Sequence, residues 1–249
     1  MAKDPGEEQR HSEVRREAIK VLQILSRFYS YRVLERVYGV HFQNLWRYAN
    51  LLSVPERETA EKIVEKTREL RLLEKALKER VSQSLANGGL HVLLRDTGFL
   101  QLVSHIASQM LKDERDSGID AVIAMSYESL PLATVLAIEF EADVCVVSDR
   151  IKAEPKGILA THFRSPSSGE VFSVLVPKQC LDNGNGVILV EVELKDVSKI
   201  SALLSMAKKT GTRVIALVAL KTAKEALEEL KKGAEKVEVV EVLSDFHEG

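Results

Sequence analysis

Short apolar runs alternate with helical segments through the second half of this chain, and the alternation restricts the fold that it can adopt. Each run is four to eight residues long, and the segments between runs have apolar residues three and four positions apart. Apolar strands joined by helices predict an α/β fold with a mainly parallel sheet covered on both faces. The predicted strands are residues 120–124, 144–148, 171–176, 187–190, 213–220 and 237–242, and the predicted helices are residues 98–112, 130–140, 198–209 and 223–232.

The first half of the chain has helical spacing instead. Apolar residues from Ala18 to Phe28 recur at intervals of three and four, as an amphipathic helix requires. Asn87-Gly88-Gly89 ends this pattern. We therefore predict an all-helical domain at residues 1–85 and an α/β domain at residues 86–249. The further predicted helices are residues 31–38, 41–52 and 55–83, the last with a packing stripe of Ile63, Leu70, Leu73 and Leu77.

The composition is that of an ordinary soluble protein. Hydrophobic residues make up 45% and charged residues 29% of the 249 residues. No run approaches the roughly 18 apolar residues that a membrane helix needs, and the polar residues 1–8 contain no apolar signal-peptide core. We therefore expect a cytoplasmic protein without membrane contact. Cys145 is expected to be a buried thiol and Cys180 to lie near a loop, and neither is given a role.

Charge is distributed unevenly along the chain. Residues 1–80 hold 17 Lys and Arg and 13 Asp and Glu, a balance of +4, whereas residues 81–249 hold 18 and 24, a balance of −6. The two balances add to the net charge of −2. A mildly basic first part is compatible with nucleic-acid binding.

Two short predicted helices meet at Gly39, whose freedom to adopt a left-handed backbone suits a tight turn. The second helix presents polar side chains as a recognition helix presents them to the major groove. Gln and Asn pair with adenine and Arg pairs with guanine, and further arginines neutralise phosphates. The residues expected to pack the helices together are Leu34, Val37, Val40, Leu45 and Tyr48. The candidate DNA-binding residues are Arg32, Arg36, His41, Gln43, Asn44, Arg47, Asn50 and Arg57.

Residues 39–63, with Leu-Trp-Arg-Tyr and Val-Pro-Glu-Arg-Glu-Thr-Ala-Glu-Lys-Ile, resemble the helix-turn-helix of repressor-like regulators. The resemblance implies sequence-specific binding of double-stranded DNA. Glu35 departs from that family, which usually has a small residue there. The alternative is a helical cap or dimerisation module with incidental arginines, because Phe42 and Trp46 on the groove-reading face could pack on another helix or subunit.

A second candidate site follows the predicted strand at residues 187–190. Ligands of α/β sheets bind at the carboxyl ends of strands, but no glycine from Val187 to Thr210 lets this backbone wrap closely around a phosphate. Glu191 and Glu193 point to one face of the strand end, and Asp196 places negative charge beside a would-be phosphate. Ser198 is positioned to cap the next helix.

From about residue 96 onward, the order of elements resembles the type I phosphoribosyltransferase family. Residues 120–133 match its first strand, pyrophosphate loop and following helix, with Glu128 and Ser129 where the family commonly has glycines. The other matching segments are residues 152–170, the family's mobile loop, with Lys156, His162 and Arg164, and residues 184–199, its segment for phosphoribosyl pyrophosphate.

The phosphoribosyl pyrophosphate signature is altered in this chain. In the family, two acidic residues bind the ribose hydroxyls, and a Thr-Gly-Gly-Thr loop holds the 5-phosphate. Here Glu191 stands for the first acidic residue, Val192 replaces the second, and residues 196–199 replace the loop with Asp-Val-Ser-Lys. The resemblance therefore implies the family's fold, whereas the changed loop points away from its catalysis.

The two halves together resemble archaeal and purine-type transcription regulators. That resemblance implies a homodimer that binds double-stranded DNA, in which the second domain serves dimerisation and senses a small-molecule effector such as a nucleotide or phosphoribosyl pyrophosphate. No cofactor and no metal are expected. The alternatives are a divergent phosphoribosyltransferase of nucleotide salvage that needs magnesium, and an interaction protein whose helices at residues 13–83 bind a partner. The candidate ligand-binding residues are Ser126, Tyr127, Glu128, Ser129, Glu191, Glu193, Lys195, Asp196 and Ser198.

Overall fold

A computed structural model describes residues 5–85, 89–115, 118–149, 157–165, 169–233 and 237–242 of the chain. The chain divides into two compact units, Met1–Leu102 and Val103–Gly249. The first unit is helical and the second is α/β. None of the helices in the described segments has the length and apolar character to span a membrane.

Helices with buried apolar stripes pack against one another in the first unit. The buried stripe of α1 includes Ala18, Leu22 and Leu25, because residues three and four apart share one face of a helix. It packs against α3 and α4. The helices are α1 Pro5–Leu25, α2 Tyr31–Tyr38, α3 Phe42–Ala49, α4 Arg57–Glu69, α5 Leu72–Leu85 and α6 Leu90–Leu93, and α7 Thr97–Met110 begins in this unit.

The single long helix predicted at residues 55–83 is wrong. The structure has α4 and α5 instead, separated at Leu70 and Arg71, and Arg71 adopts a left-handed backbone with φ of 49°. The break rotates the packing stripe between the two helices. Ile63, Leu73 and Leu77 are buried, whereas Leu70 is exposed at the end of α4.

The two compact units divide inside α7, between Leu102 and Val103. Asp96 explains why the start of α7 belongs with the helical unit. Its carboxylate accepts hydrogen bonds from the backbone N–H groups of Gly98 and Phe99, at 2.9 and 3.2 Å, and pairs with the Arg80 guanidinium of α5. Capping the first turn of α7 and pairing with α5 therefore fixes these helices to each other.

The second unit contains a parallel sheet. Its five described strands have the order β2-β1-β5-β6-β7, and every neighbouring pair is parallel. The predicted α/β class and mainly parallel sheet are therefore confirmed. The remaining elements are α8 Lys112–Arg115, β1 Ala121–Ala124, α9 Leu130–Phe140, β2 Asp143–Val146, β3 Ile158–Arg164, β4 Val171–Pro177, a 3₁₀ helix Lys178–Leu181, β5 Gly186–Leu194, α10 Ser198–Thr210, β6 Arg213–Thr222, α11 Lys224–Gly233 and β7 Glu238–Glu241.

Alternate residues of the central strands enter one core. Ile123 of β1, Leu189 of β5 and Leu217 of β6 are fully buried in it, because successive strand residues point to opposite faces. Ile200 and Leu203 of α10 pack against the same cluster. The central strands are buried along almost their whole length, which fits their nearly continuous apolar sequences.

An antiparallel hairpin of β3 and β4 lies outside the main sheet. We predicted β4 from its sequence but missed β3, which was matched to a polar mobile loop. His162 and Arg164 of that segment lie on β3, whereas Lys152 and Lys156 lie outside the described residues. The strand at β5 also runs longer than predicted and includes both Glu191 and Glu193.

Cys145 and Cys180 form a disulfide bond. Cys145 lies on the edge strand β2 and Cys180 on the 3₁₀ helix that follows β4, and both are buried. A backbone bridge between Ser148 and Leu175 brings the two segments together. The expectation of a buried free thiol at Cys145 is therefore wrong, and the disulfide joins the hairpin to the main sheet.

Candidate functional site

The order of the strands reverses direction between β1 and β5. The chain leaves β1 for β2 on one side and later crosses to β5 on the other side of β1. Ligands of open α/β sheets bind at such a reversal, outside the carboxyl ends of the strands. Because Ala124 pairs with Val190, the loop after β1 runs beside Glu191 of β5.

The Glu191 carboxylate is held by the loop between β1 and α9. Its Oε1 atom accepts hydrogen bonds from the hydroxyls of Ser126 and Ser129, at 3.1 and 2.8 Å. It also accepts one from the backbone N–H of Val192, at 2.9 Å. Three donors around one carboxylate oxygen account for its hydrogen-bonding capacity within the protein itself. Recognition of a sugar hydroxyl by this oxygen would require a serine to be displaced.

The two serines also bind each other. Their Oγ atoms are 2.8 Å apart, and the Ser129 backbone N–H donates to Ser126 Oγ at 3.3 Å. Each hydroxyl carries a single proton, so the two serines cannot make all three contacts at once, and either Ser126 or Ser129 donates across the pair. Ser129 is fully buried, and a buried hydroxyl needs such partners. Sequence reasoning had selected all three residues, but as ligand contacts and not as partners of one another.

Lys199 completes the cluster and was missed as a site residue. Its Nζ donates to the backbone carbonyl of Met125 at the end of β1. Burial lowers the pKa of the Lys199 ammonium, while the charges of Glu191 and Asp149 oppose that shift. The sequence feature that could have identified Lys199 is its position in the first turn of α10, where the helix dipole disfavours a cation. A lysine placed there implies acidic partners nearby.

Asp196 occupies the amino end of α10. Its Oδ1 accepts a hydrogen bond from the Ser198 backbone N–H at 2.9 Å. Val197 occupies the N-cap position without a side-chain hydrogen bond, and the Asp196 carboxylate caps the first backbone N–H of the helix instead. Ser198 is the first residue of α10, so the expectation that it caps the helix is wrong. Backbone N–H groups at a helix start attract anions, and here a carboxylate of the chain already lies there. A second anion, such as a phosphate, would meet its repulsion.

The other candidate ligand residues are more open to solvent. Tyr127 and Glu128 are exposed, and Lys195 forms an ion pair of 3.0 Å with Glu193. That pairing raises the pKa of Lys195, with a smaller contribution from Glu128. Glu191 and Glu193 do share a face of β5, since Val192 and Leu194 between and after them are buried. Within the described residues, no group of three or more His, Cys, Asp or Glu side chains is arranged to hold a metal ion.

In the first unit, α2 and α3 meet at Gly39 as predicted. Gly39 has φ of 62° and ψ of 31°, and its backbone N–H donates to the Glu35 carbonyl at 2.7 Å. Lys66 of α4 donates to the Val37 carbonyl at 2.9 Å, which satisfies another carbonyl at the end of α2. The turn is thus fixed both by its own backbone and by α4.

The helix pair packs largely on the predicted face. Leu34 and Leu45 are fully buried, and Val37, Val40 and Tyr48 are half-buried. Tyr38 was not predicted in the core, yet it is fully buried and its hydroxyl lies 2.8 Å from Thr67 Oγ1. Burial raises the pKa of Tyr38 to about 12.

Two of the candidate DNA-binding side chains cap α3. His41 Nδ1 accepts from the Gln43 backbone N–H at 3.4 Å, and Asn50 Nδ2 donates to the Trp46 carbonyl at 2.8 Å. Both therefore support the helix ends. Arg57 forms an ion pair of 2.7 Å with Glu61. The candidates that are exposed on α2 and α3 without such a role in capping are Arg32, Arg36, Gln43, Asn44 and Arg47.

Comparison with known proteins supports the fold of the chain. No protein-family model and no curated protein matches the sequence. Among solved structures, the adenine phosphoribosyltransferase of Thermoanaerobacter pseudethanolicus superposes with a TM-score of 0.51 at 16% identity, over 60% of this chain and 83% of that chain. The adenine phosphoribosyltransferase of Giardia lamblia superposes with a TM-score of 0.51 at 15% identity, over 59% of this chain and 81% of that chain. The adenine phosphoribosyltransferase of Leishmania donovani superposes with a TM-score of 0.54 at 12% identity, over 63% of this chain and 69% of that chain. The chain therefore contains a phosphoribosyltransferase-like fold together with a helical amino-terminal region.

Proposed function

We propose that this protein is a sequence-specific, homodimeric DNA-binding transcription regulator whose phosphoribosyltransferase-like unit does not catalyse phosphoribosyl transfer. The observation that carries the proposal is the exposed face of α3. Gln43, Asn44 and Arg47 are exposed there, directly after a left-handed glycine turn. These are side chains that recognise adenine and guanine through the major groove.

Charge supports DNA as the ligand of this face. No acidic residue occurs in α3 from Phe42 to Ala49, and Arg32 and Arg36 are exposed on α2. Arginines outside a groove neutralise backbone phosphates and fix the register of a recognition helix. Arg47 is then the base-reading cation, and Arg32 and Arg36 contact phosphates.

The cluster around Glu191 supports the absence of transferase activity. In the enzyme family that the sequence resembles, the acidic residue and the following loop hold ribose and phosphate. Here Glu191 is bound to Ser126, Ser129 and the Val192 backbone, while Asp196 caps α10. One carboxylate oxygen of Glu191 and one of Asp196 are thus engaged within the chain. We propose dimerisation and sensing of a small effector as the roles of this unit.

The DNA-binding proposal is tested by selecting sequences from a random duplex library with the full chain. We expect a two-fold symmetric site whose half-sites are centred about 10 base pairs apart, the spacing of successive major grooves. Arg47→Ala should weaken binding about tenfold or more, as the loss of a base contact of about 1–3 kcal/mol implies. Arg68→Ala is a matched control, since Arg68 is exposed on α4. Failure to enrich any sequence, with no effect of Arg47→Ala, would overturn the proposal.

Calorimetry tests the non-catalytic half of the proposal. We expect no heat of binding when phosphoribosyl pyrophosphate and magnesium are added to the full chain. Micromolar affinity would instead favour a divergent phosphoribosyltransferase. Ser129→Gly is an informative variant, since it removes one hydroxyl that holds Glu191 and restores a residue type common in the family at this place.

A further inference from the structure

Trp46 is the only tryptophan of the chain and lies on the exposed face of α3, at the edge next to buried Ala49. Its side chain is 46% exposed, although tryptophan is highly buried on average in folded proteins. Trp46 and Arg47 lie three and four residues after Gln43, so both neighbour Gln43 in one exposed stripe of the helix. The indole ring therefore lies among the side chains that would read bases.

The exposure of Trp46 follows from the packing of its neighbours. Leu45 and Ala49, one turn apart, are buried in the core of the unit. Trp46 follows Leu45 directly, and a step of one residue rotates a helical side chain by about 100°, away from that core. Asn50 closes the last turn by donating to the Trp46 carbonyl. The helix thus holds the ring outward on a rigid backbone.

The surroundings of the ring fit DNA better than an apolar protein surface. Exposed Gln43 and Arg47 lie on one side of the ring, half-buried Phe42 and buried Ala49 lie on the other, and α3 carries no acidic residue. The chain also exposes Leu51 and Leu52 after α3, but these lie beyond the stripe and beyond the Asn50 cap. A nucleic acid supplies both the negative charge that Arg47 needs and an apolar group for the ring.

We propose that Trp46 is a specificity-determining residue that packs against the 5-methyl group of thymine in the major groove. That methyl group is the apolar feature that distinguishes thymine in this groove. Gln43 and Arg47, on the polar side of the ring, then orient the helix by contacts to neighbouring bases. The inference rests on the proposed DNA-binding function and adds a preference for thymine at one position of each half-site.

Deoxyuridine supplies the test, because it differs from thymidine by that methyl group alone. In the sequence selected by the full chain, each thymidine is replaced in turn by deoxyuridine. We expect the wild-type Kd to rise about three- to tenfold at one position per half-site. Trp46→Ala should bind the thymidine and the deoxyuridine duplex with equal Kd. That Kd should be close to the Kd of the wild type for the deoxyuridine duplex. Trp46→Phe should retain part of the discrimination.

Two controls separate a thymine contact from a general loss of binding. Arg47→Ala should weaken binding to both duplexes and leave the ratio between them unchanged. The fluorescence of the single tryptophan should change when the wild-type chain binds its duplex. It should stay unchanged if the ring remains in solvent. Circular dichroism of Trp46→Ala and Trp46→Phe verifies that both variants retain their helices.

The outcomes distinguish this inference from the proposed function. If the wild type binds a selected sequence but no thymidine replacement changes the Kd and the fluorescence does not move, the Trp46 inference is wrong and DNA binding stands. If Trp46→Ala alters the oligomeric state in sedimentation and leaves DNA affinity intact, the ring covers a protein surface and the inference is again wrong. If the wild type selects no sequence at all, the proposed function fails first.

Discussion

Gly39 forms the turn between α2 and α3 because its backbone is left-handed, with φ of 62°. An L-residue with a Cβ in that region costs roughly 1–2 kcal/mol. The added Cβ would meet the Lys62 Nζ atom at 3.3 Å, and this flexible side-chain end can move. The penalty at Gly39 is therefore mainly conformational.

We expect Gly39→Ala to lower the free energy of unfolding of the helical unit by about 1 kcal/mol. Gly39→Asn is the matched comparison, because asparagine tolerates the left-handed region and should cost less. Denaturant unfolding followed by the fluorescence of Trp46 measures both values within this unit. Equal stability of the alanine variant and the wild type would contradict the role of Gly39.

Because the Tyr38 hydroxyl is buried, we expect the free energy of unfolding to fall at alkaline pH. Its pKa is raised to about 12 by burial, with the Thr67 hydrogen bond opposing the shift, whereas an unfolded tyrosine ionises near pH 10. The unfolded state thus releases its proton first as the pH rises. The contribution of Tyr38 to stability is complete below about pH 10 and is lost as the pH rises to about 12.

Tyr38→Phe should remove this contribution and flatten the stability profile above about pH 10. Some slope should remain, because the pKa of Tyr29 is also raised to about 12 by burial and by Glu79. At neutral pH the variant should lose about 1 kcal/mol with the hydrogen bond to Thr67. Urea unfolding between pH 8 and pH 12 measures both effects. A profile unchanged by the substitution would show that Tyr38 ionises normally.

At the scale of elements, the disulfide between β2 and the 3₁₀ helix stabilises the second unit. It spans 35 residues, and closing a loop of that size in the unfolded chain corresponds to about 4 kcal/mol at most. Reduction should therefore lower the melting temperature of the full chain. The double variant Cys145→Ser/Cys180→Ser should melt lower than the oxidised wild type and should not respond to a reductant. Two free thiols in the unreduced, unfolded wild type would contradict the bond.

The elements that were predicted correctly are those whose signals are local. The bounds of α2 and α9 were predicted to the residue, since apolar spacing, Gly39 and Pro131 define them within one or two turns. The strand β3 was missed because its residues are exposed or half-buried, without the apolar run of a central strand. The break at Arg71 was missed because no glycine or proline marks it.

The fold brings three of the candidate ligand-binding residues into contact, and the sequence did not predict those contacts. Ser126, Ser129 and Glu191 were all candidates, yet Glu191 lies more than 60 residues from either serine in sequence. Only the register between β1 and β5 brings them together. The same holds for the disulfide, which depends on the bridge between Ser148 and Leu175. Contacts of this kind depend on which strands are neighbours in the sheet. The spacing of apolar residues along the sequence carries no information about the order of the strands.

At the scale of the whole molecule, the net charge of −2 gives no general attraction to DNA. Affinity must then come from local cations, since the Debye length at physiological salt is only about 8 Å. The exposed arginines of α2 and α3 supply such a local charge, whereas the excess of acidic residues lies beyond residue 80. This distribution should keep non-specific binding weak and make specific binding sensitive to salt.

Salt dependence therefore separates phosphate contacts from base contacts on this surface. Arg36→Gln should lower the slope of log K against log salt by about 1 per phosphate contact, hence by about 2 in a homodimer, and should weaken all sequences alike. Arg47→Gln should instead relax the preference at one base position, because a lost base contact reduces discrimination. Arg68→Gln on α4 should leave both quantities unchanged. Equal slopes for the wild type and Arg36→Gln would mean that α2 does not face the DNA backbone, and the docking of α3 would then have to be reassigned.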